Sequence, residues 1–258
     1  MYAQERQQDI LRRARLAGRV DVVTLAEALD VTTETIRRDL TVLERAGVLR
    51  RVHGGAIPVE RLTFESPLAQ RDQLRTAEKE AIAVEALAQL PADGAILLDA
   101  GSTTYRFAQA LPEGLGLNIV TNSPAMALLL AQRDDLTVML LGGRLRKRTL
   151  ATVDDWVEQA TSRIHVDVAF VATNGLSTAR GLTTPDPAEA GAKRAMIACA
   201  SRVVVLADHT KIDVDYFARF ADLSEVDLLV TDSGLSDDAM QHILQAGLDV
   251  VRAMPAQH

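Results

Sequence analysis

The stretch Asp99-Ala100-Gly101-Ser102-Thr103-Thr104 sets a carboxylate, a glycine and three consecutive hydroxyl residues between an apolar run and a helix-forming segment. Hydroxyls and backbone N–H groups at a helix N-terminus bind anions, and phosphate is their natural occupant. Comparable polar junctions follow at Thr121-Asn122-Ser123, Leu141-Gly142-Gly143-Arg144, Thr173-Asn174-Gly175 and Asp208-His209-Thr210-Lys211. Asp186, Glu189 and Lys193 are spaced by three and four, so a helix starting near Asp186 puts them on one face, suited to sugar hydroxyls and a phosphate charge. Each segment alone fits ordinary capping, dipole complementation, a turn or an i,i+4 ion pair equally well. Their repetition at successive strand ends is what favours a ligand.

A second constellation is basic. Thr33-Glu34-Thr35-Ile36-Arg37-Arg38-Asp39-Leu40 contains no glycine or proline, and Ile36, Leu40 and Leu43 recur as the inward stripe of an amphipathic helix. Arg38, Thr41 and Arg45 then project outward, with Asp30, Thr32 or Thr33 available as N-cap and Gly47 as C-terminal stop. Val48 to Ala56 reads as a short strand carrying Arg50, Arg51 and His53 into a glycine turn. Helices over Gln4–Leu16 and Thr24–Leu29 precede it, which is the winged helix-turn-helix plan. Arginine suits such a helix because its planar fork grips guanine edges or phosphate. The plainer alternative is that these arginines only solvate a small helical domain; the order of helix, glycine and basic wing favours DNA.

The elements that must position the first constellation alternate along the rest of the chain. Near-continuous apolar runs over Ala95–Asp99, Leu117–Thr121, Leu136–Leu141, Val166–Ala172, Val203–Ala207, Val226–Thr231 and around Val250 are separated by helical stretches. That pattern predicts a mostly parallel sheet covered by helices, an α/β fold with ligands beyond the carboxyl ends of its strands. Ile57 to Pro67, with two prolines, reads as a linker, and Leu68–Leu90 as a helix. The organisation expected is a winged helix-turn-helix domain over 1–57, a linker over 58–75 and an effector domain over 76–258.

The string Thr35-Ile36-Arg37-Arg38-Asp39-Leu40, then Leu43-Glu44, Gly47 and Arg51-Val52-His53-Gly54-Gly55-Ala56, strongly resembles the DNA-binding signature of the DeoR family of bacterial transcriptional regulators. The later segments resemble that family's effector domain, which is similar in fold to sugar-phosphate isomerases. The resemblance implies a repressor of a carbohydrate operon, binding operator DNA as a homo-oligomer, dimer or tetramer, and released by a phosphorylated sugar. Thr33, Thr35, Arg37, Arg38, Arg51 and His53 are then the expected DNA contacts. Gly101, Ser102, Thr103 and Thr104, with Asp99 beside them, form the expected phosphate loop; Asn122, Gly143, Asp186, Glu189, Lys193 and Lys211 line the sugar site. The stretch Gly181 to Asp186 looks most like members acting on sugar-transport operons, fructose among them, which implies fructose 1-phosphate.

Composition agrees with such a protein. The overall charge is −7, yet residues 1–57 hold 10 Lys and Arg against 8 Asp and Glu, and the remainder 18 against 27. A locally basic reader on an acidic body suffices, because phosphate attraction decays within a Debye length of about 8–10 Å. The margin is small, so binding is expected to depend on a few arginines and on dimerisation. No apolar run nears the roughly 18 residues of a membrane span, and the charged N-terminus is unlike a secretory signal, so a cytoplasmic protein is expected. Cys199, the single cysteine, reads as a buried apolar residue.

The five histidines lack ligand spacing, and no Walker or dinucleotide motif occurs, so neither metal nor cofactor is expected. An RNA reader would display aromatic platforms, whereas the first 57 residues contain only Tyr2. The main rival is an isomerase-like enzyme using Asp186 and Glu189 as acid and base. No catalytic residue is assigned, because fold alone does not confer activity.

Overall fold

A computed structural model describes residues 3–46, 48–52, 54–58, 65 and 67–254. The chain divides into two compact units, Met1–Ser66 and Pro67–His258. The first contains α1 (Ala3–Ala17), β1 (Val20–Asp21), α2 (Val22–Leu29), α3 (Thr33–Arg45), β2 (Leu49–Val52) and β3 (Gly55–Pro58). Ile10, Ala14, Leu25, Leu29, Ile36, Leu40 and Leu49 form its core. Asp21 caps α2 through the N–H groups of Val23 and Thr24, and Asp30 closes that helix in the left-handed conformation with φ 51°. Thr32 then caps α3 through the N–H of Thr35, so each turn residue has one task. The strands pair antiparallel in the order β1-β3-β2.

Two sequence expectations change here. The wing has a second strand, β3, running to Pro58, where the linker was expected to begin; Pro58 is tolerated because β1 covers only Gly55 and Ala56, which leaves an open edge opposite the missing N–H. Gly47 lies outside the described residues, and the residue capping the C-terminus of α3 is Ala46 in the right-handed helical region.

The second unit begins with α4 (Leu68–Asp72) and α5 (Thr76–Ala86). The single helix expected over Leu68–Leu90 is broken between them, and α4 falls inside the expected linker. Arg75 takes φ 56°, and the buried Lys79 ammonium donates to the carbonyls of Arg71 and Leu74, ending α4. There follow β4 (Ala95–Leu98), α6 (Ser102–Ala110), β5 (Asn118–Thr121), α7 (Pro124–Leu130), β6 (Thr137–Leu140), β7 (Arg144–Arg146), β8 (Ala151–Val153) and α8 (Asp155–Thr161). Then come β9 (Val166–Ala172), β10 (Gly175–Ser177), β11 (Gly181–Thr184), α9 (Pro187–Ala198), β12 (Ala200–Leu206), β13 (Ala218–Ala221), β14 (Leu228–Asp232), α10 (Asp237–Gln245) and β15 (Asp249–Ala253).

Seven of these strands form one parallel sheet in the order β15-β14-β12-β9-β4-β5-β6. Alternate residues serve opposite faces: Leu98, Phe170 and Val204 join Phe107 and Ile82 in one core, while Leu97, Val171 and Val205 join Met196 and Val157 in the other. The chain winds outward from β4 through β5 to β6, then returns to the other side of β4 and winds from β9 through β12 to β14 and β15. The carboxyl ends of β4 and β9 therefore flank a topological switch point, where open α/β sheets bind ligands. A small antiparallel sheet, β10-β11-β13, and the hairpin β7-β8 were not anticipated; their short, Gly- and Thr-bearing strands lack any usable period.

Candidate functional site

Beyond the end of β4 the chain bends at Gly101 into α6. A Cβ on Gly101 would lie 2.9 Å from the Ala172 methyl and 3.0 Å from the Thr104 hydroxyl, so the approach of this loop to β9 needs glycine. With glycine as N-cap, α6 has no side-chain cap. Its first intrahelical bond of this register is Tyr105 N–H to Gly101 O. The preceding N–H groups of Ser102, Thr103 and Thr104 thus remain as donors. Ser102 and Thr103 are largely buried, yet their hydroxyls are neither bonded to another described residue nor sealed from solvent, whereas Thr104 donates to Gly101 O at 3.1 Å.

Neighbouring helices are built differently. Ser123 caps α7 through Met126 N–H, Asp186 caps α9 through Glu189 N–H at 3.0 Å, and Ser236 caps α10 through Ala239 N–H. Asp186 and Ser123 each supply a side-chain cap; the loop at Gly101 supplies none.

Asp99 and Lys193 meet directly beneath that loop as a buried ion pair. Asp99 also accepts the Ala172 N–H at 3.0 Å, and Lys193 donates to Ala172 O at 2.9 Å, so the pair clamps the ends of β4 and β9 together from α9. Asn122 serves as a strut: it accepts from Ala100 N–H at 2.8 Å and donates to Thr152 O at 3.2 Å, fixing the approach to Gly101 from the adjoining strand.

One turn before Lys193, Glu189 is buried beside Arg146. Arg146 Nε lies 3.0 Å from Asp186 and its Nη1 3.3 Å from Glu189, with Thr184 donating to Glu189 at 3.4 Å. Burial alone would raise the Asp186 pKa; the Glu189 amide and the Arg146 guanidinium outweigh it and hold the carboxyl below its ordinary value. Arg146 was missed in the sequence because nothing in Arg144-Leu145-Arg146-Lys147-Arg148 separates one arginine from its neighbours.

The structure thus gathers Asp99, Gly101–Thr104, Asn122, Asp186, Glu189 and Lys193 around the switch point through α9. Two expected residues lie apart from those contacts. Gly143, at φ 134°, packs on the Val153 carbonyl and lines an open cleft of about 860 Å³ with Arg144, Asp154 and Trp156. Lys211, in the turn His209–Lys211 after β12, acts on Asp208 and Lys79. Burial tends to raise the Asp208 pKa, but the Lys211 charge and the Thr210 hydroxyl hold it low.

In the first unit, α3 presents Arg37 and Arg38 to solvent, Arg38 with 83% of its side chain exposed. Glu34 stands 3.7 Å from Arg37 and 3.9 Å from Arg38, too loosely to neutralise either. Thr33 and Thr35 open the same helix, half-buried, and Thr35 engages the Thr32 hydroxyl at 2.9 Å. Arg51 on β2 is exposed, its guanidinium 3.3 Å from Thr41 Oγ1 and its N–H donating to Glu44 at 2.9 Å, which ties wing to helix. His53 lies outside the described residues. Asp39, inside the motif, is buried and held by Arg6 at 2.6 Å and Gln7 at 2.8 Å, so it orients α3 on α1 and faces away from solvent. Among the described residues no group of three His, Cys, Asp or Glu side chains is placed to hold a metal ion, and no helix is long and apolar enough to cross a membrane.

Comparison with known proteins matches each of the two units to a known domain. Residues 6–61 match the DeoR-like helix-turn-helix domain and residues 74–233 the DeoR C terminal sensor domain. The chain is 38% identical to the HTH-type transcriptional regulator GlpR of Haloferax volcanii over 97% of this chain and 98% of that protein. It is 32% identical to the transcriptional repressor AccR of Agrobacterium fabrum over 90% of each, and 34% identical to the uncharacterized regulator FruR of Bacillus subtilis over 83% of this chain and 86% of that one. Ribose 5 phosphate isomerase A from Neisseria gonorrhoeae overlaps 56% of this chain and 55% of its own with a TM-score of 0.37 and 20% identity, which says nothing of activity. The chain belongs to the DeoR family of helix-turn-helix regulators with a C-terminal sensor domain.

Proposed function

We propose that this protein is a transcriptional repressor of a carbohydrate-utilisation operon, released from its operator by a phosphorylated sugar. The observation that carries the effector reading is the uncapped N-terminus of α6, with two accessible hydroxyls, bonded to no other described residue, at the switch point. A phosphate there would receive backbone N–H groups and the positive end of the helix. Lys193, through its clamp with Asp99, would join the phosphate loop to α9, whose Glu189 and Asp186 with Arg146 would meet the sugar hydroxyls. Arg37, Arg38 and Arg51, with Thr33, Thr35 and His53, would contact the operator. The likeness of Gly181 to Asp186 to members acting on sugar-transport operons, fructose among them, makes fructose 1-phosphate the first compound to try.

Release requires the effector to favour one state over the other. A hundredfold affinity ratio between the DNA-competent and DNA-incompetent states biases them by about 2.7 kcal/mol.

The rival reading as an isomerase needs a carboxylate free to take and return a proton. Asp186 is committed to capping α9, and both it and Glu189 are held by Arg146. Isothermal titration of the purified chain with paired phosphorylated and unphosphorylated sugars tests the effector reading. Heat from a phosphorylated member alone is expected, and Ser102→Asp, which places an anion where phosphate belongs, should abolish it. Equal binding of the unphosphorylated sugar, or an unaffected Ser102→Asp variant, would refute the phosphate loop.

A further inference from the structure

The two edges of the seven-stranded sheet are unlike. The edge strand β15 carries Asp249 and Arg252, and Arg252 pairs with Asp237 of α10 at 2.7 Å. The opposite edge, β6, is Thr137-Val138-Met139-Leu140, without charge, proline or bulge to discourage pairing. Strands of a parallel sheet are normally covered on both faces. Here Met139 is 50% exposed and Leu140, on the opposite face, 46% exposed. Exposed apolar groups continue on adjoining elements: Leu128 on α7, which packs along β6, Leu145 on β7, and Trp156, 72% exposed, over the cleft that follows β6.

The backbone specifies what fits this edge. Thr137 N–H donates to Leu117 O and Leu141 N–H to Thr121 O, both toward β5. By alternation, Val138 and Leu140 direct their N–H and C=O groups away from the sheet. Two outward residues flanking one inward residue form a self-complementary unit. An identical strand running antiparallel would pair Val138 with the partner's Leu140, and Leu140 with the partner's Val138, about a two-fold axis through Met139. The rim is also mixed in charge: Arg144 pairs with Asp154 of its own chain at 2.6 Å and Asp155 lies in the same cleft, so a copy meets no one-signed rim that would repel it.

We propose that β6 is the edge through which two copies of this chain pair, antiparallel, joining their sheets across Met139. The choice of a second copy as occupant rests on the reading of an operator binder, since a head carrying a net charge of only +2 gains from a second head on the same DNA. The pairing is tested without DNA or effector, so its failure and the failure of that reading are separable.

Sedimentation velocity of the full chain should show a dimer, or a larger even assembly built from dimers. In an antiparallel non-hydrogen-bonded pair the facing Cα atoms lie about 4.5 Å apart, within disulfide range. Met139→Cys oxidised with copper phenanthroline should therefore give a covalent dimer, while the wild type, whose sole Cys199 is buried, should give none. Leu140→Lys should weaken self-association at least tenfold while leaving the thermal unfolding transition cooperative. A monomeric wild type, an unlinked Met139→Cys variant in a dimeric preparation, or a folded Leu140→Lys variant that dimerises normally would each overturn the proposal. Should Leu140→Lys fail to fold, the Met139→Cys result alone decides.

Discussion

The residues that matter most at the candidate sites are those whose polar groups are left over after the fold has used what it needs. Arg38 is one: it is exposed, loosely paired with Glu34, and central on α3. Arg38→Ala should weaken operator binding by about 1–3 kcal/mol, the usual worth of one arginine contact, and leave effector binding unchanged, as anisotropy and calorimetry would show. Equal loss of both would place Arg38 elsewhere in the mechanism. Lys193 and Asp99 are the opposite case, a pair sealed from water. Lys193→Met leaves Asp99 buried without its cation and should cost about 3–5 kcal/mol in urea denaturation. Combining it with Asp99→Asn removes the stranded charge and keeps an acceptor for Ala172 N–H, so stability should largely return while effector affinity does not. A double variant that binds the effector normally would reduce the pair to a structural clamp. The residue types at both sites were legible in the sequence, but their duties were not always so. Asn122 and Asp186 read as ligand contacts in the sequence, and the structure gives each a second duty, a strut to Thr152 and a helix cap through Glu189 N–H. The Thr152 and Arg146 contacts lie too far away in sequence to be read from it.

Elements read from periodicity survived where the period was long. The stripe Ile36, Leu40, Leu43 gave α3, and the unbroken apolar run Val166–Ala172 gave β9 with the bounds expected. The hairpin β7-β8 and the sheet β10-β11-β13 escaped because strands of three or four residues carry no usable period, and β13 finds its partner β11 far away in sequence. The break between α4 and α5 escaped for a different reason: it is made by one side chain. Lys79 looks like a surface lysine in Glu78-Lys79-Glu80, yet it is buried on the carbonyls that end α4. That burial lowers its pKa from 10.5 to about 8. Between those two values the unfolded chain holds a proton that the folded chain has released, so this group's contribution to stability rises with pH across the window. Denaturation midpoints measured from pH 7.5 to 10 should show that rise in the wild type and a flatter profile in Lys79→Met. Identical slopes would mean that Lys79 is hydrated in solution.

At the scale of the molecule, the chain joins a reader of modest charge to an α/β unit whose switch point offers an uncapped helix and unpartnered hydroxyls. Asp186, Asp208 and Asp232 all titrate below their ordinary value at this end of the sheet, burial being outweighed by Arg146, Lys211 and His209 with neighbouring amides and a hydroxyl. Their stabilisation is complete above about pH 4 and is lost as pH falls through the depressed values, so the sensor should be robust at neutral pH. The two-part plan was legible because each part carries its own local signal: a helix with its basic wing, and glycine and hydroxyl residues at strand ends. Which strand edge joins two copies was not, since exposure on both faces of β6 is a property of the assembled sheet. The central claim couples the two units, and one measurement reaches both. Fluorescence anisotropy of the purified protein on DNA from upstream of its own operon, titrated with a panel of sugar phosphates, should show tight binding that one phosphorylated sugar reverses and its unphosphorylated form does not. Binding that no member of a broad panel disturbs, or no binding at all, would contradict the reading of a sugar-phosphate-released repressor.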